Sequence, residues 1–206
     1  MLRRQDCKAL ITAAGLSARM GQPKALLPWG SVALVQHQAQ VLAGFRDVVV
    51  VVGHDAAVIE AAASLVAPAR YVENPEHLRG RSSSLACGAR ALADAGGTVG
   101  PLLVVAVDQP LEPAVVDALL EAFVPASHTL VQPSFKGRRG HPLLLGAAAG
   151  QALCSAEDYS EGLRDIVRAH ASGADVVPVM DASTRWDLNT PERFAAALAA
   201  LGDASQ

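Results

Sequence analysis

Short apolar segments and amphipathic segments alternate along the chain. Residues 48–52 are five consecutive valines without polar alternation, which is typical of a strand buried on both faces of a parallel sheet. Residues 102–107 form a second segment of this kind, and shorter candidate strands lie at 9–12, 70–72, 129–131, 143–145 and 175–179. Between these segments, apolar residues recur at helical spacing. The alternation predicts an α/β fold, with helices on both sides of a mostly parallel sheet in a three-layer α/β/α sandwich.

Residues that favour the N-terminus of a helix precede most of the amphipathic segments. We expect Ser31 to cap a helix over about 32–43, and Ser160 to cap a later helix that carries Leu163 and Ile166. The other expected helix starts are Asp55, the serines at 82–84, Pro113 after Glu112, and Pro191 after Thr190. No internal repeat interrupts this order, so the sequence predicts one domain over 1–206, with short flexible ends at about 1–6 and 203–206.

Composition and charge argue against several classes of protein. The 206 residues are 51% hydrophobic and 18% charged, which disfavours disorder. The net charge of −3, without a basic stripe, argues against nucleic acid as the main partner. No apolar run approaches the roughly 20 residues of a membrane helix. Cys7, Cys87 and Cys154 lie far apart without zinc-site spacing, so we expect free thiols and a cytoplasmic protein.

The strand predicted at 9–12 runs into a loop that is rich in glycine and positive charge. The loop contains Gly15, Ser17, Arg19, Gly21 and Lys24. Glycines let a backbone come close to a ligand, and free amides after a strand form a concave anion site. The spacing matches neither a Walker loop nor a dinucleotide fingerprint. The concave anion site and the positive charges of Arg19 and Lys24 nevertheless favour a nucleoside triphosphate as the ligand. The alternative is an ordinary strand-to-helix loop without a ligand.

Two further segments carry candidate chemistry. Asp108 directly follows the strand predicted at 102–107, at the strand end where open α/β sheets bind ligands. It is a candidate Mg²⁺ ligand, or alternatively a turn-forming residue before Pro110. The turn at 136–142 contains two glycines and three basic residues, Lys136, Arg138 and Arg139. It could hold an acidic substrate such as a phosphate monoester, or it could be a solvated hairpin tip.

The motif A-A-G-x-S-x-R-M-G-x-P-K, over 13–24, resembles the opening signature of the MobA-like NTP transferase superfamily, the nucleotidyltransferases that are similar to molybdenum cofactor enzymes. The residues at 12–15, T-A-A-G, resemble the cytidylyltransferase branch, whereas the guanylyltransferase branch typically has L-A-G-G. The segments N-P…G-x-S-S-S-L at 74–85, D-x-P at 108–110, R-G-H-P at 139–142 and D-x-N-T-P at 187–191 resemble later family motifs in the expected order. One departure is Arg81, where the family usually has Met.

The resemblance implies a Rossmann-like sheet, as in nucleotide-diphospho-sugar transferases, with one antiparallel strand after Gly140. It also implies a set of site residues. Arg19, Lys24 and Asp108 are the expected catalytic residues, and Asp108, Asp187 and Asn189 the expected metal ligands. The expected acceptor contacts are Arg138, Gly140, His141 and Pro142. The expected nucleotide contacts are Ala13, Ala14, Gly15, Ser17, Arg19, Gly21, Lys24, Gly53, Asn74, Ser82, Ser83 and Ser84.

The implied reaction is transfer of CMP from CTP to the terminal phosphate of molybdopterin, with Mg²⁺ as cofactor and release of pyrophosphate. A molybdoenzyme or its chaperone is the protein partner that the resemblance suggests. The alternatives within the enzyme class are a guanylyltransferase and a transferase for another phosphorylated small molecule. A nucleotide-binding accessory protein without turnover is an alternative of a different class. An oxidoreductase is the weakest alternative, because no dinucleotide fingerprint is present.

Overall fold

The computed structural model describes residues 1–63, 69–93 and 97–204, with residues 63 and 202–204 described by their backbone alone. The strands are β1 (Lys8–Thr12), β2 (Pro28–Trp29), β3 (Val32–Ala33), β4 (Asp47–Val52), β5 (Arg70–Glu73), β6 (Leu102–Ala106), β7 (Leu130–Phe135), β8 (Arg138–Arg139), β9 (Leu143–Leu145) and β10 (Ala174–Pro178). The α-helices are α1 (Leu34–Val41), α2 (Ala56–Ala63), α3 (Arg81–Leu92), α4 (Pro113–Ala122), α5 (Ala147–Ala152), α6 (Leu163–Ala169) and α7 (Pro191–Ala204).

The main sheet has the strand order β10-β7-β9-β6-β1-β4-β5, and β8 pairs with β7. Strand β1 is central and runs parallel to both β4 and β6, with Thr12 level with Val51 and Ala106. Strand β9 runs antiparallel to β6 and β7, which confirms the antiparallel strand expected after Gly140. The parallel register brings the carboxyl ends of β1, β4 and β6 to one edge of the sheet.

Alternate residues of the central strands pack into two separate apolar cores. Leu10 packs against α3, α5 and α6 on one face of the sheet, and Ile11 packs against α1, α2 and α4 on the other. The side chains of a strand alternate between the two faces, so covering both faces requires two layers of helices. The three-layer sandwich is therefore confirmed. It also explains why residues 48–52 of β4 are all valines, since each is at most 4% exposed.

A third apolar cluster lies beside the sheet and brings residues 20–34 together with residues 186–201. Trp29 of β2 packs with Leu27 and Leu34 against Leu188 and Ala197. The rings of Trp29 and Trp186 meet edge to face, with centroids 6.0 Å apart. Such aromatic pairs contribute stability beyond their buried area. Helix α7 thus supports the segment that follows β1.

The helix predicted from 32 begins later, and Ser31 does not cap it. Trp29 and Val32 pair in a two-stranded hairpin, which Gly30 allows with a φ of 62°. The N-cap of α1 is Ala33, whose amide donates to Gln36 Oε1 at 2.8 Å. The prediction was wrong because the hairpin pairing takes residues 32 and 33 out of the helix.

The start predicted for α6 is also wrong. The N-cap is Gly162, with a φ of 54°, and not Ser160. The carboxylate of Asp165 accepts hydrogen bonds from the Ser160 hydroxyl at 3.1 Å and from the Glu161 amide at 2.9 Å. These bonds occupy Ser160 in the loop that precedes the helix.

The residues before β1 make specific contacts. Leu2 is 7% exposed and its amide donates to Leu120 O at 3.2 Å. The Arg4 guanidinium donates to Asp117 at 2.6 Å and to Val41 O at 2.6 Å. The other end predicted to be flexible, 203–206, lies partly outside the described residues. Cys7, Cys87 and Cys154 are free thiols, as expected. In the part of the chain that the structure describes, no helix is both long and apolar enough to cross a bilayer.

Candidate functional site

A cavity of about 310 Å³ lies at the carboxyl ends of β1 and β6, beside the N-terminus of α3. This is the sheet edge where ligands bind in open α/β folds. The loop after β1, the short 3₁₀ helix at His77–Arg79 and the turn after β6 form its walls. The lining residues are Thr12, Ala13, Ala14, Gly15, Leu16, Ser17, Pro23, Lys24, Ala25, Ile59, His77, Leu78, Gly80, Arg81, Ser84, Ala106, Val107 and Asp108.

The loop after β1 is closed by its own hydrogen bonds. The carbonyl of Ser17 accepts from the amides of Met20 at 2.8 Å and Gly21 at 3.3 Å. The Ser17 hydroxyl accepts from the Lys24 amide at 3.1 Å. Gly21 has a φ of 72°, and no atom lies within 4 Å of where a Cβ on Gly15 would stand. The open space at Gly15 lets a ligand approach the backbone of the loop closely.

Lys24 connects this loop to two other parts of the chain. Its Nζ donates to Asp108 Oδ2 at 2.5 Å and to Asn189 Oδ1 at 2.6 Å. The side chain of Asp108 is 5% exposed and that of Lys24 is 16% exposed. A buried ion pair is stable only when both charges are compensated, so each of these residues holds the other in place.

Asp187 lies next to this group. Its carboxylate accepts from Asn189 Nδ2 and, at 3.1 Å, from the Arg193 guanidinium of α7. The backbone amide of Leu188, between the two, donates to Asp108 O at 2.9 Å. Of the three expected metal ligands, Asp108 and Asn189 meet at the Lys24 ammonium, and Asp187 joins them through its hydrogen bond with Asn189.

The oxygen atoms of this group fit a hard divalent cation. Carboxylate and amide oxygens are the ligands that Mg²⁺ prefers, and it is usually held by one or two carboxylates plus substrate phosphates. The ammonium of Lys24 occupies the point where Asp108 Oδ2 and Asn189 Oδ1 converge, so a positive charge is already favoured there. Among the described residues, no group of three or more His, Cys, Asp or Glu side chains could hold a metal. The donor set therefore suits a metal that arrives with substrate oxygens.

Only one of the three serines at the start of α3 lines the cavity. Asn74 Nδ2 donates to the hydroxyls of Ser83 at 3.0 Å and Ser84 at 3.1 Å, and Asn74 itself is buried. Ser84 lines the cavity, whereas Ser82 lies against Gly162. Asn74 and Ser83 thus fix the start of the helix behind the cavity wall, and Ser84 is placed to contact a ligand.

Gly53 does not line the cavity but lets two of its walls come together. A Cβ on Gly53 would lie 2.8 Å from His77 Cβ and 2.9 Å from Ala14 O. Atoms this close to a Cβ would have to move, so glycine at 53 permits the close packing of the loop after β1 against the 3₁₀ helix.

The expected acceptor segment packs against residues 183–185. The His141 amide donates to Thr184 O at 2.9 Å, and a Cβ on Gly140 would lie 2.9 Å from Thr184 Cβ. The peptide bond between His141 and Pro142 is cis. Burial and then the Arg81 charge lower the pKa of His141, while Asp108 and Asp187 raise it. The charges of His141 and Asp108 are therefore close enough to interact.

Arg138 lies apart from these residues. It is exposed on β8, where it pairs with Phe135 of β7. Lys136 and Gly137 form the tip of this hairpin, with φ values of 49° and 74°. The Lys136 ammonium lies over the Phe135 ring, 5.2 Å from its centroid. Lys136 thus lies at an exposed hairpin tip, which is the alternative stated above for the turn at 136–142. Arg19 and Gly21 are exposed in the loop after β1 and do not line the cavity either.

Several lining residues were not identified from the sequence. Leu16, Ile59, His77, Leu78 and Arg81 all face the cavity. Four of them carry no functional signal in the sequence, because Ile59 follows the apolar spacing of a helix and single apolar or histidine residues such as Leu16 and His77 are common. Arg81 did carry one, namely its departure from the usual Met.

Comparison with known proteins gives one relative and several solved structures of the same fold. The relative is the nicotine blue oxidoreductase of Paenarthrobacter nicotinovorans, 33% identical over 194 residues that cover 90% of this chain and 93% of that protein. A nucleotidyl transferase from Methanothermobacter thermautotrophicus is 26% identical, with a TM-score of 0.74 and coverage of 93% of this chain and 95% of the other. The molybdopterin-guanine dinucleotide biosynthesis protein A of Archaeoglobus fulgidus is 16% identical, with a TM-score of 0.67 and coverage of 95% and 99%.

The family model that matches is the MobA-like NTP transferase domain, over residues 9–175. The match includes the loop after β1, the start of α3, Asp108 and the acceptor segment, and it ends before Asp187 and Asn189. The chain therefore belongs to the MobA-like NTP transferase family of nucleotidyltransferases.

Proposed function

We propose that this protein is a Mg²⁺-dependent nucleotidyltransferase that transfers CMP from CTP to the terminal phosphate of molybdopterin and releases pyrophosphate. One observation supports this above all others. Lys24, Asp108 and Asn189 come from distant parts of the chain and meet through hydrogen bonds of 2.5 and 2.6 Å beside the cavity. A charged group assembled from three segments at a ligand-binding edge is expected of a reaction centre rather than of a turn.

In this proposal the loop after β1 binds the triphosphate. Its backbone is closed on itself, and Lys24 supplies a positive charge. Arg19 is exposed and, within the described part of the chain, makes no salt bridge, so it is available for the β- and γ-phosphates. Both cations would stabilise the negative charge that develops on the leaving pyrophosphate.

The bond changes require positioning rather than a protein nucleophile. An oxygen of the acceptor phosphate attacks the α-phosphorus of CTP, and the bond from that phosphorus to the bridging oxygen breaks. A phosphate monoester is largely ionised at pH 7, so no general base is needed. His141 is then not required to accept a proton, and its role is to donate a hydrogen bond. The chain contributes by holding the two substrates in line.

Asp108, with Asp187 or Asn189, would hold the Mg²⁺ ion. When bound, that ion supplies charge neutralisation between the acceptor and nucleotide oxygens. The choice of CTP is supported by the T-A-A-G sequence at 12–15, and molybdopterin by the family alone. A guanylyltransferase, a transferase for another phosphorylated small molecule and a non-catalytic accessory protein for a molybdoenzyme are the rivals.

The test is a pyrophosphate-release assay with Mg²⁺ and molybdopterin, with and without molybdenum, comparing CTP, GTP, ATP and UTP. We expect release with CTP alone. Release with GTP would support nucleotidyl transfer but show that the nucleotide base is guanine and not cytosine. Binding of a nucleotide without release would favour a different acceptor or the accessory role.

The relative from Paenarthrobacter nicotinovorans supports an oxidoreductase as a second candidate, because it is 33% identical over 90% of this chain and bears that name. The chain has no G-x-G-x-x-G fingerprint after β1, which argues against the usual dinucleotide site. A spectrophotometric assay with nicotine blue and NADH or NADPH separates the two. Oxidation of either nicotinamide without pyrophosphate release would replace the transferase proposal.

A further inference from the structure

The ammonium of Lys24 and a divalent cation would compete for the same two oxygen atoms. Lys24 Nζ lies 2.5 Å from Asp108 Oδ2 and 2.6 Å from Asn189 Oδ1. Carboxylate and amide oxygens of this kind are also the ligands that Mg²⁺ takes, at about 2.1 Å. Two cations on the same oxygens repel each other strongly in a site that is shielded from water. A divalent cation can therefore bind these oxygens only after the ammonium has left them.

The ammonium is held firmly in the ligand-free protein. The side chain of Asp108 is only 5% exposed, and that of Lys24 is 16% exposed. Within the described part of the chain, Asp108 forms no salt bridge other than the one with Lys24. Removal of one partner from a buried ion pair leaves the other charge uncompensated, which is costly. The release of Lys24 thus requires another anion for the ammonium.

An anion in the cavity would be within reach of the same side chain. Lys24 lines the cavity, and its backbone is fixed there because its amide donates to the Ser17 hydroxyl at 3.1 Å. Its side chain is a flexible four-carbon stem that ends in three N–H donors. The ammonium can therefore turn from Asp108 to an anion in the cavity while the backbone of the loop after β1 stays in place.

We propose that Lys24 keeps divalent cations out of the ligand-free site and releases Asp108 and Asn189 when a triphosphate binds in the cavity. That this triphosphate belongs to a nucleotide that reacts rests on the proposed function, whereas the competition between Lys24 and the cation does not. The cation then binds together with the triphosphate and not before it. A triphosphate carries more negative charge than Asp108, so the exchange is favourable. Loss of Lys24 should thus strengthen the binding of the cation alone and weaken the binding of the triphosphate.

The first test measures Mn²⁺ binding to the ligand-free protein, from the electron paramagnetic resonance signal of the free ion. Mn²⁺ accepts the same oxygen ligands as Mg²⁺. We expect Lys24→Met to bind Mn²⁺ about tenfold or more tightly than the wild type does, since a hydrogen bond between charged groups no longer has to be broken. Lys24→Gln also removes the charge and should show the same gain if Lys24→Met does not fold. Lys24→Arg keeps the charge, and Lys136→Met changes an exposed lysine elsewhere, so both should resemble the wild type.

Two further measurements locate the ion and test the exchange. The double variant Lys24→Met/Asp108→Asn should lose the gain in Mn²⁺ affinity, because the carboxylate ligand is gone. A non-hydrolysable CTP analogue should raise the Mn²⁺ affinity of the wild type more than that of Lys24→Met, after correction for the Mn²⁺ that the analogue binds without protein. If no CTP binds, inorganic tripolyphosphate takes the place of the analogue.

Three outcomes would overturn the role of Lys24. These are the same Mn²⁺ affinity in the wild type and the uncharged variants, a gain that persists in the double variant, and an equal effect of the triphosphate on the wild type and Lys24→Met. Pyrophosphate release tests the proposed function separately. Release by a wild type whose Lys24 variants bind Mn²⁺ no more tightly would refute the competition alone. A gain in Mn²⁺ affinity without release by the wild type would refute the transferase alone.

Discussion

The backbone amide of Leu188 donates a hydrogen bond to the carbonyl oxygen of Asp108, over a distance of 2.9 Å. This bond ties the segment after β10 to the turn after β6. Leu188 is 1% exposed, so the bond is shielded from water. The residues on either side of it, Asp187 and Asn189, are thereby held next to the Asp108 carboxylate. This main-chain bond adds to the Lys24 ammonium, which bonds Asp108 and Asn189, and to the Arg193 guanidinium, which bonds Asp187.

Replacing Asp108 tests the reaction centre. Asp108→Asn keeps the shape of the side chain and removes its charge, so we expect pyrophosphate release to fall by at least about 10²-fold, as when one charge-stabilising group is removed from other active sites. Circular dichroism should show an unchanged fold. Asp117→Asn is the matched control, because Asp117 is an exposed carboxylate on α4 that pairs with Arg4. A near-normal rate for Asp108→Asn with Mg²⁺ present would show that the metal assignment is wrong.

Replacing Lys24 tests the triphosphate site. Lys24→Met keeps most of the length of the side chain and removes the ammonium, so the affinity for CTP should fall about tenfold or more. The measurement is a CTP titration in the presence of Mg²⁺. Lys136→Met, at the exposed tip of the β7–β8 hairpin, should bind CTP like the wild type. Unchanged affinity and rate in Lys24→Met would remove Lys24 from the site.

Gln38 positions the turn that carries Asp108. It is fully buried in α1, and its Nε2 donates to the carbonyls of Ala106 at 3.3 Å, Val107 at 3.0 Å and Gln109 at 2.9 Å. Gln38→Leu would remove this side-chain donor, although Ala106 O keeps the Gln109 amide at 3.0 Å. The loss should lower the free energy of unfolding by about 2 kcal/mol.

Because the loss of Gln38 loosens the turn around Asp108, kcat should also fall in Gln38→Leu while the affinity for CTP changes little. Gln40→Leu is the control, since Gln40 is exposed on the same helix. Urea unfolding and steady-state kinetics measure both effects. A stable, fully active Gln38→Leu would mean that the turn holds its shape without the glutamine.

Glu112 should make stability depend on pH. Burial and then the charge of Asp181 raise the pKa of Glu112. The unfolded chain therefore loses this proton at a lower pH than the folded protein does. Stability from this group is present below the ordinary glutamate pKa and is lost as the pH rises through the folded value.

Glu112→Gln should accordingly stabilise the protein at pH 7, by less than about 1 kcal/mol because the side chain is partly exposed and solvent screens it. The gain should disappear below about pH 4. Urea unfolding across this range measures it, and Glu121→Gln on the exposed face of α4 is the control. A gain that is the same at both pH values would contradict the electrostatic cause.

The sequence predicted the core of the fold well because burial on both faces of a sheet leaves a clear pattern. The valines of β4 and the apolar run of β6 were located to within one residue. The helix starts predicted at Ser31 and Ser160 were wrong for two different reasons. After Ser31, residues 32 and 33 pair with β2 in a hairpin. The Ser160 hydroxyl instead donates to the Asp165 carboxylate. The preference of serine for helix N-caps does not predict such competing contacts.

The candidate site was predicted in outline. Lys24, Asp108 and Asn189 were expected in one site and do meet there. The sequence did not indicate which of Ser82, Ser83 and Ser84 faces the cavity, because consecutive residues at a helix start point in different directions. Nor did it place Arg81 on the cavity wall, since that depends on the turn at Gly80.

The packing of α7 against Trp29 determines when, during synthesis, the loop after β1 gains its support. The loop after β1 emerges from the ribosome well before Trp186, Leu188 and Ala197, which complete the apolar cluster beneath it. Contacts between segments this distant in sequence form late, because a long chain must close before they are made. A nascent chain that ends before Trp186 can contain β1, β4 and β6 and still lack the residues that support the loop after β1. The ability to bind a nucleotide should therefore be acquired only when synthesis has passed α7.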